Sequence, residues 1–218
     1  MSKEKEYNEN ITETVLERQE RLDPNELRLL TYGRPGDICL IDGHEFPSGR
    51  LGNMSGGFRF TLFNMLWYAS EFLYLCGEWS FSTEKCIEAQ RYVLKMKSGT
   101  WAWRCSKAKY KNDIRPDFSS FRHQWMLWCV WQKCMLNEKF AELLKSVPDD
   151  VVIVELVKKN DLVWATNLDE TGILHGGNAM GKILTICRRN LLNGTEPNID
   201  TDLLNSSNIY ILGQRIQF

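Results

Sequence analysis

Three stretches of this 218-residue chain carry residue types suited to chemistry. Ser48 to Gly57 places four glycines in ten residues around Gly52 and Asn53. Glycine has no Cβ, so the amides of such a loop can approach a ligand closely, although a plain hairpin connection has the same composition. Ser70-Glu71 opens an apolar segment and puts a carboxylate in the first turn of a helix, where the helix dipole alone also favours one. Between Asp161 and Gly181 lie Trp164 and Asn178, the latter flanked by Gly176, Gly177 and Gly181. That pattern predicts a backbone-rich helix entrance able to hold phosphate or ribose hydroxyls. It is neither a P-loop nor a GxGxxG fingerprint.

Other chemistries lack support. His44, His123 and His175 show no HxxxH or HExxH spacing, and the seven cysteines include no CxxC pair, so no protein-built metal site is expected. No spacing favours a Ser-His-Asp or Cys-His arrangement.

The three stretches converge only if helices pack around a small sheet. Ile38 to Ile41, between the turn signals Arg34-Pro35-Gly36-Asp37 and Asp42-Gly43-His44, predicts a short strand. Phe58 to Tyr68 predicts a hairpin turning at Phe63-Asn64, followed by the Ser70-Glu71 helix, which Gly77 or Ser80 would end. Ser82 or Thr83 can cap a helix from Glu84 to Lys97, and Ser119 a long one reaching Lys145. The three-to-four spacing of Phe121, Trp125, Trp128, Met135 and Phe140 marks core rather than a ligand platform. Val151 to Leu156 reads as a buried strand, Leu168 to Asn178 as a loop, and Ala179 to Leu192 as a helix. Residues 1–30 predict a helical arm, 31–192 the main domain and 193–218 a polar tail ending in a strand-like Ile209 to Leu212.

Composition bounds the setting. With 43% hydrophobic and 25% charged residues, the chain is ordinary globular protein rather than a collagen-like or disordered one. It has no apolar run of about 18–20 residues, and its acidic, polar start is unlike a targeting peptide, so a cytoplasmic protein with no membrane contact is expected. The cysteines fit reduced, mostly buried thiols. Net charge is −1, which excludes a histone-like binder, yet residues 85–122 hold ten basic against three acidic side chains. Such a stretch is a candidate for nucleic-acid contact, though charge runs are commonly solvated helix faces.

In order along the chain stand Leu51-Gly52-Asn53-Met54, Ser70-Glu71, Arg115-Pro116-Asp117-Phe118, Ile153-Val154-Glu155, Asn160-Asp161 with Trp164, and Gly176-Gly177-Asn178 with Gly181 and Arg188. This series, covering about residues 50–192, resembles the NADAR (YbiA-like) family. The resemblance implies an α+β fold, a mostly helical compact domain with a small sheet. It further implies hydrolysis of N-glycosidic bonds, in ADP-ribosylated guanine of nucleic acid or in ribosylated intermediates of riboflavin synthesis. Carried onto this chain, it makes Glu71 the catalytic carboxylate acting at the glycosidic carbon. Gly52, Asn53, Ser70, Asp161, Asn178 and Gly181 become ligand-binding, Trp164 the pocket wall, and no metal or cofactor is required. Glu84, followed by Glu88-Ala89-Gln90-Arg91, is a rival match for the glutamate. Seven residues after Glu71, where members usually carry a basic residue, this chain has Glu78. Two other readings stand beside the enzyme: an inactive module that binds ADP-ribose or a related nucleotide, and a nucleic-acid-contacting interaction protein.

Overall fold

The computed structural model describes residues 30–32, 39–42, 48–148, 151–157, 161 and 163–218. In chain order the elements are β1 (Leu30–Thr31), β2 (Cys39–Asp42), β3 (Phe60–Leu62), β4 (Met65–Trp67), α1 (Ser70–Glu78), α2 (Glu84–Leu94) and α3 (Gly99–Tyr110). They continue with α4 (Phe118–Leu136), α5 (Glu138–Lys145), β5 (Ile153–Leu156), β6 (Thr166–Leu168), β7 (Leu174–Gly176), α6 (Ala179–Asn193), α7 (Thr201–Ser206), β8 (Tyr210–Ile211) and β9 (Gln214–Arg215). The α+β expectation, mostly helical with a small sheet, is met. The arm expected over residues 1–30 lies outside the described residues, apart from Leu30 at the start of β1.

The principal sheet has the order β1-β7-β6-β5-β2. β5 pairs in parallel with β2 (Cys39 opposite Ile153) and with β6, while β6, β7 and β1 run antiparallel. Ile153 and Val154 are buried, as the β-branched run suggested, because a strand with neighbours on both edges and helices against it has no solvated face.

Every residue of α1 is buried, including the carboxylates Glu71 and Glu78. A helix enclosed on all sides is normally apolar throughout, so two glutamates there are held against a desolvation cost. α4 packs along α1 through Trp125, whose indole sits where a Cβ on Gly77 would stand. Its Nε1 donates to the Tyr74 carbonyl at 3.1 Å. Gly77 therefore allows a close helix approach and does not end the helix, which runs on to Glu78.

Several local expectations are confirmed. The β3–β4 hairpin turns at Phe63 and Asn64, both at positive φ (55° and 58°), as a tight two-residue hairpin requires. Thr83 caps α2 by accepting from Cys86 N. Cys76, Cys86, Cys105, Cys129, Cys134 and Cys187 are free, and all but Cys105 are buried.

Others are corrected. α3 was not anticipated: its buried positions are Gly99, Ala102, Ser106 and Tyr110, a helical spacing written in small and polar residues, while Trp101 and Trp103 face solvent. The single helix expected up to Lys145 is two, because Asn137 is extended and caps α5 by accepting from Phe140 N at 2.9 Å. Asp117 rather than Ser119 occupies the N-cap position of α4. The loop expected over Leu168 to Asn178 is a hairpin of β6 and β7, its turn organised by Asp169 accepting from Thr171 N and Ile173 N.

Residues 193–218 form α7 and the β8–β9 hairpin and dock on the main core through Leu204, Ile209, Ile211 and Ile216. Gln90 clamps this hairpin, donating to the carbonyls of Cys76, Trp79 and Tyr210 and accepting from Leu212 N. No helix among the described residues is long and apolar enough to cross a membrane.

Candidate functional site

Glu71, Tyr74 and Glu78 fall at i, i+3 and i+7 and so share one face of α1. The glycine-rich loop fixes the start of that face. After a 3-10 turn at Ser48–Leu51, the loop folds back on itself through Ser55 Oγ donating to the Gly49 carbonyl and Gly52 N donating to the same oxygen. This delivers Asn53 to the helix mouth. Its carbonyl accepts from Glu71 N at 3.1 Å and from Ser70 Oγ at 3.3 Å, and its Nδ2 donates to Glu71 Oε2 at 2.5 Å.

Burial, reinforced by the Glu78 and Glu155 carboxyls, raises the Glu71 carboxyl well above the usual carboxylate range. Glu78 is also raised by burial, but less freely, since Lys107 from α3 donates to its Oε1 at 2.6 Å and Arg122 adds a second favourable charge. Glu155, at the end of β5, is pushed up to about 8 by burial and by Asp161. Three carboxyls thus share one region, and burial raises all three.

Aromatic rings form the wall. Tyr74 meets Trp164 edge-on at 5.5 Å and Phe118 at 5.4 Å. Trp164 lies 4.8 Å from the His123 ring and 5.8 Å from the Arg122 guanidinium. Burial, with Arg122 and Lys182 nearby, pushes His123 down to about 4, so it is neutral at physiological pH. Asp161 positions Trp164: its Oδ1 accepts from Val163 N and Trp164 N at 3.3 and 3.0 Å, an Asx turn.

Of the residues singled out from sequence, Asn53, Ser70 and Glu71 meet at the start of α1, with Gly52 directly behind, and Asp161 and Trp164 face them through Tyr74. Asn178 and Gly181 lie against β5. Asn178 sits at φ 52°, fully buried, with its amide spanning two residues of β5: Oδ1 accepts from Glu155 N at 3.0 Å and Nδ2 donates to the Ile153 carbonyl at 2.9 Å. A Cβ on Gly181 would collide with the Ile153 carbonyl oxygen, so only glycine lets α6 approach β5 this closely. Together they hold the strand that carries Glu155. Glu84, the rival glutamate, is exposed in the first turn of α2.

Tyr74, Lys107, Arg122, His123 and Glu155 were not anticipated as site residues. Lys107 and Arg122 belong to the basic stretch, which offered the one sequence signal. Within that stretch Lys85 pairs with Asp113, Lys107 with Glu78, Lys109 with Glu88 and Arg115 with Asp117. On the outer side of the glycine loop, a cavity of about 290 Å³ lies between Gly56, Gly57, Arg59, Tyr68 and the start of α3.

No family model and no curated protein matches this sequence. Among solved structures, the NMR structure of the E. coli protein YbiA is similar, with a TM-score of 0.56 and 21% identity, over 72% of this chain and 86% of that chain. The fold is therefore YbiA-like.

Proposed function

We propose that this chain, on its YbiA-like fold, hydrolyses the N-glycosidic bond of ADP-ribosylated guanine or a related ribosylated base. The observation that carries this reading is Glu71, a carboxyl latched by Asn53, raised by burial and then by two neighbouring carboxyls, and enclosed on the Tyr74–Trp164 side by aromatic rings.

Breaking a bond between ribose C1 and a base nitrogen leaves positive charge on the sugar and negative charge on the base. A protonated Glu71 gives its proton to the departing nitrogen, and the carboxylate so formed faces the cationic C1, stabilised by the Asn53 amide. Water then adds to C1 and returns a proton to Glu71. The Tyr74–Trp164 ring pair excludes bulk water and offers a stacking face to the base. No metal enters these steps, since a carboxyl group and positioning supply what an oxocarbenium-like transition state needs.

Glu78, where the resembled family usually carries a basic residue, supports a second reading, a module that binds ADP-ribose without turnover. Lys107 from α3 brings an amine to this carboxyl, its Nζ donating to Glu78 Oε1 at 2.6 Å.

The test is release of free base from ADP-ribosylated guanosine, followed by chromatography. Wild type is expected to turn over, and Glu71→Gln to lose about 10²–10³-fold in kcat, the scale of removing one preorganised electrostatic group. Glu84→Gln is expected to match wild type. Equal rates for wild type and Glu71→Gln would refute the site. Binding of ADP-ribose without base release would favour the binding module, and a steep salt dependence would point to contact through residues 85–122.

A further inference from the structure

Glu78, like Glu155, keeps one buried carboxyl oxygen without a partner, and its other oxygen is paired. Oε1 is held 2.6 Å from Lys107 Nζ. Oε2 is shielded from solvent and has no hydrogen-bond partner, on a side chain only 3% exposed. Buried acceptors are nearly always paired, and one left open on a carboxylate calls for a donor from elsewhere. Arg122 Nε is likewise buried and unpartnered, on the guanidinium that lies over Trp164.

The charges decide what kind of donor fits. Two cations, Lys107 and Arg122, already act on the Glu78 carboxyl. A third cationic group is then unfavourable, and a neutral hydroxyl on an anionic ligand fits. Seven helical residues separate Glu71 from Glu78, a rise of about 10 Å. Tyr74 stands between them on the same buried face of α1.

We propose that Glu78 Oε2 accepts a hydrogen bond from a hydroxyl of the ribose whose C1 faces Glu71, making Glu78 a specificity residue for ribose over deoxyribose. This rests on the reading of the site as one for an ADP-ribosyl ligand. The Lys107 bond fixes the carboxylate plane, so the open oxygen is aimed before the ligand arrives.

The experiment is calorimetric binding of ADP-ribose, and of its analogues lacking the 2″- or the 3″-hydroxyl of the distal ribose, to wild type, Glu78→Leu and Glu78→Gln. Wild type is expected to bind one of the two analogues about 10- to 100-fold more weakly than ADP-ribose, the scale of a hydrogen bond to a charged group. Glu78→Leu is expected to bind ADP-ribose weakly by the same factor and to lose the discrimination, with Glu78→Gln between the two. Full discrimination retained by Glu78→Leu, or none shown by wild type for either hydroxyl, overturns the inference while base release from ADP-ribosylated guanosine leaves the hydrolase reading standing. Failure of wild type to bind ADP-ribose at millimolar ligand overturns both. Thermal melts establish that each variant is folded, and if Glu78→Leu is not, Glu78→Gln against wild type reads the same coupling.

Discussion

Asn53 and Glu71 are tied to each other twice: the Asn53 side-chain amide donates to Glu71 Oε2 at 2.5 Å, and the Glu71 backbone N–H donates to the Asn53 carbonyl at 3.1 Å. The backbone bond sets where the helix begins, and the side-chain bond opposes the proton that burial favours on the carboxyl. Asn53→Leu removes only the second. The Glu71 pKa then rises further, and because the protonated form is the proton source, the alkaline limb of the hydrolysis profile moves to higher pH by about one unit. A pH–rate series on the two proteins reads this, and coincident limbs would show that Asn53 does not tune the acid.

Lys133 is completely buried, its ammonium 3.8 Å from the centre of the Phe140 ring, with no hydrogen-bond partner. Burial pushes it down to about 7 from an ordinary 10.5. Between those values the folded protein holds the neutral amine while the unfolded chain holds the charged one, so the unfolded state binds more protons and stability rises with pH. Urea unfolding should show wild type gaining stability from pH 7 to 9 relative to Lys133→Met. At pH 7 the methionine variant should be more stable by about 1–4 kcal/mol, since it buries no charge. Parallel pH dependences for the two proteins would contradict this.

Removing Lys107 leaves Glu78 buried without its ion pair. Its folded pKa, already raised, rises further, while the unfolded value stays ordinary. For an acid raised in the fold, stability falls as pH climbs above the unfolded value, so Lys107→Met should lose little at pH 4 and about 1–3 kcal/mol at pH 8. Denaturant melts at the two pH values measure the difference, and a loss equal at both would mean that the ion pair contributes nothing.

Two glycines separate close packing from open loop. Gly181→Ala drives a methyl against the Ile153 carbonyl and the Asn178 amide, so a loss of at least about 2 kcal/mol is expected, with β5 and Glu155 displaced. Gly56→Ala meets no atom within 4 Å and is not at positive φ, so it should be neutral or stabilise by about 0.5 kcal/mol through the unfolded chain. Thermal melts of both variants check this, and equal effects would refute the packing account.

What could be read from the amino-acid order alone was local. The Phe63-Asn64 turn, the Thr83 cap, the β-branched β5 strand and the Ser70-Glu71 helix start each depend on residues within one turn or one strand of each other. Asn53, Glu71 and Trp164 were singled out only through the resemblance carried by the whole series of short motifs, not by any one spacing. α3 was hidden because its inward face is written in glycine, alanine and serine, and the Asn137 break because helical spacing continues across it. The chemistry of the site needed the tertiary structure. Glu78 and Lys107 are 29 positions apart, and Glu155 and Arg122 come from different elements again, so no window of sequence contains their meeting. Whether Glu71 carries a proton depends on how much water packing removes and on which distant charges remain beside it. Desolvation and Coulomb interaction are set by separation in space, whereas hydrophobic period and capping are set by separation along the chain, which is why the order of residues determined the elements and the packing decided the acid.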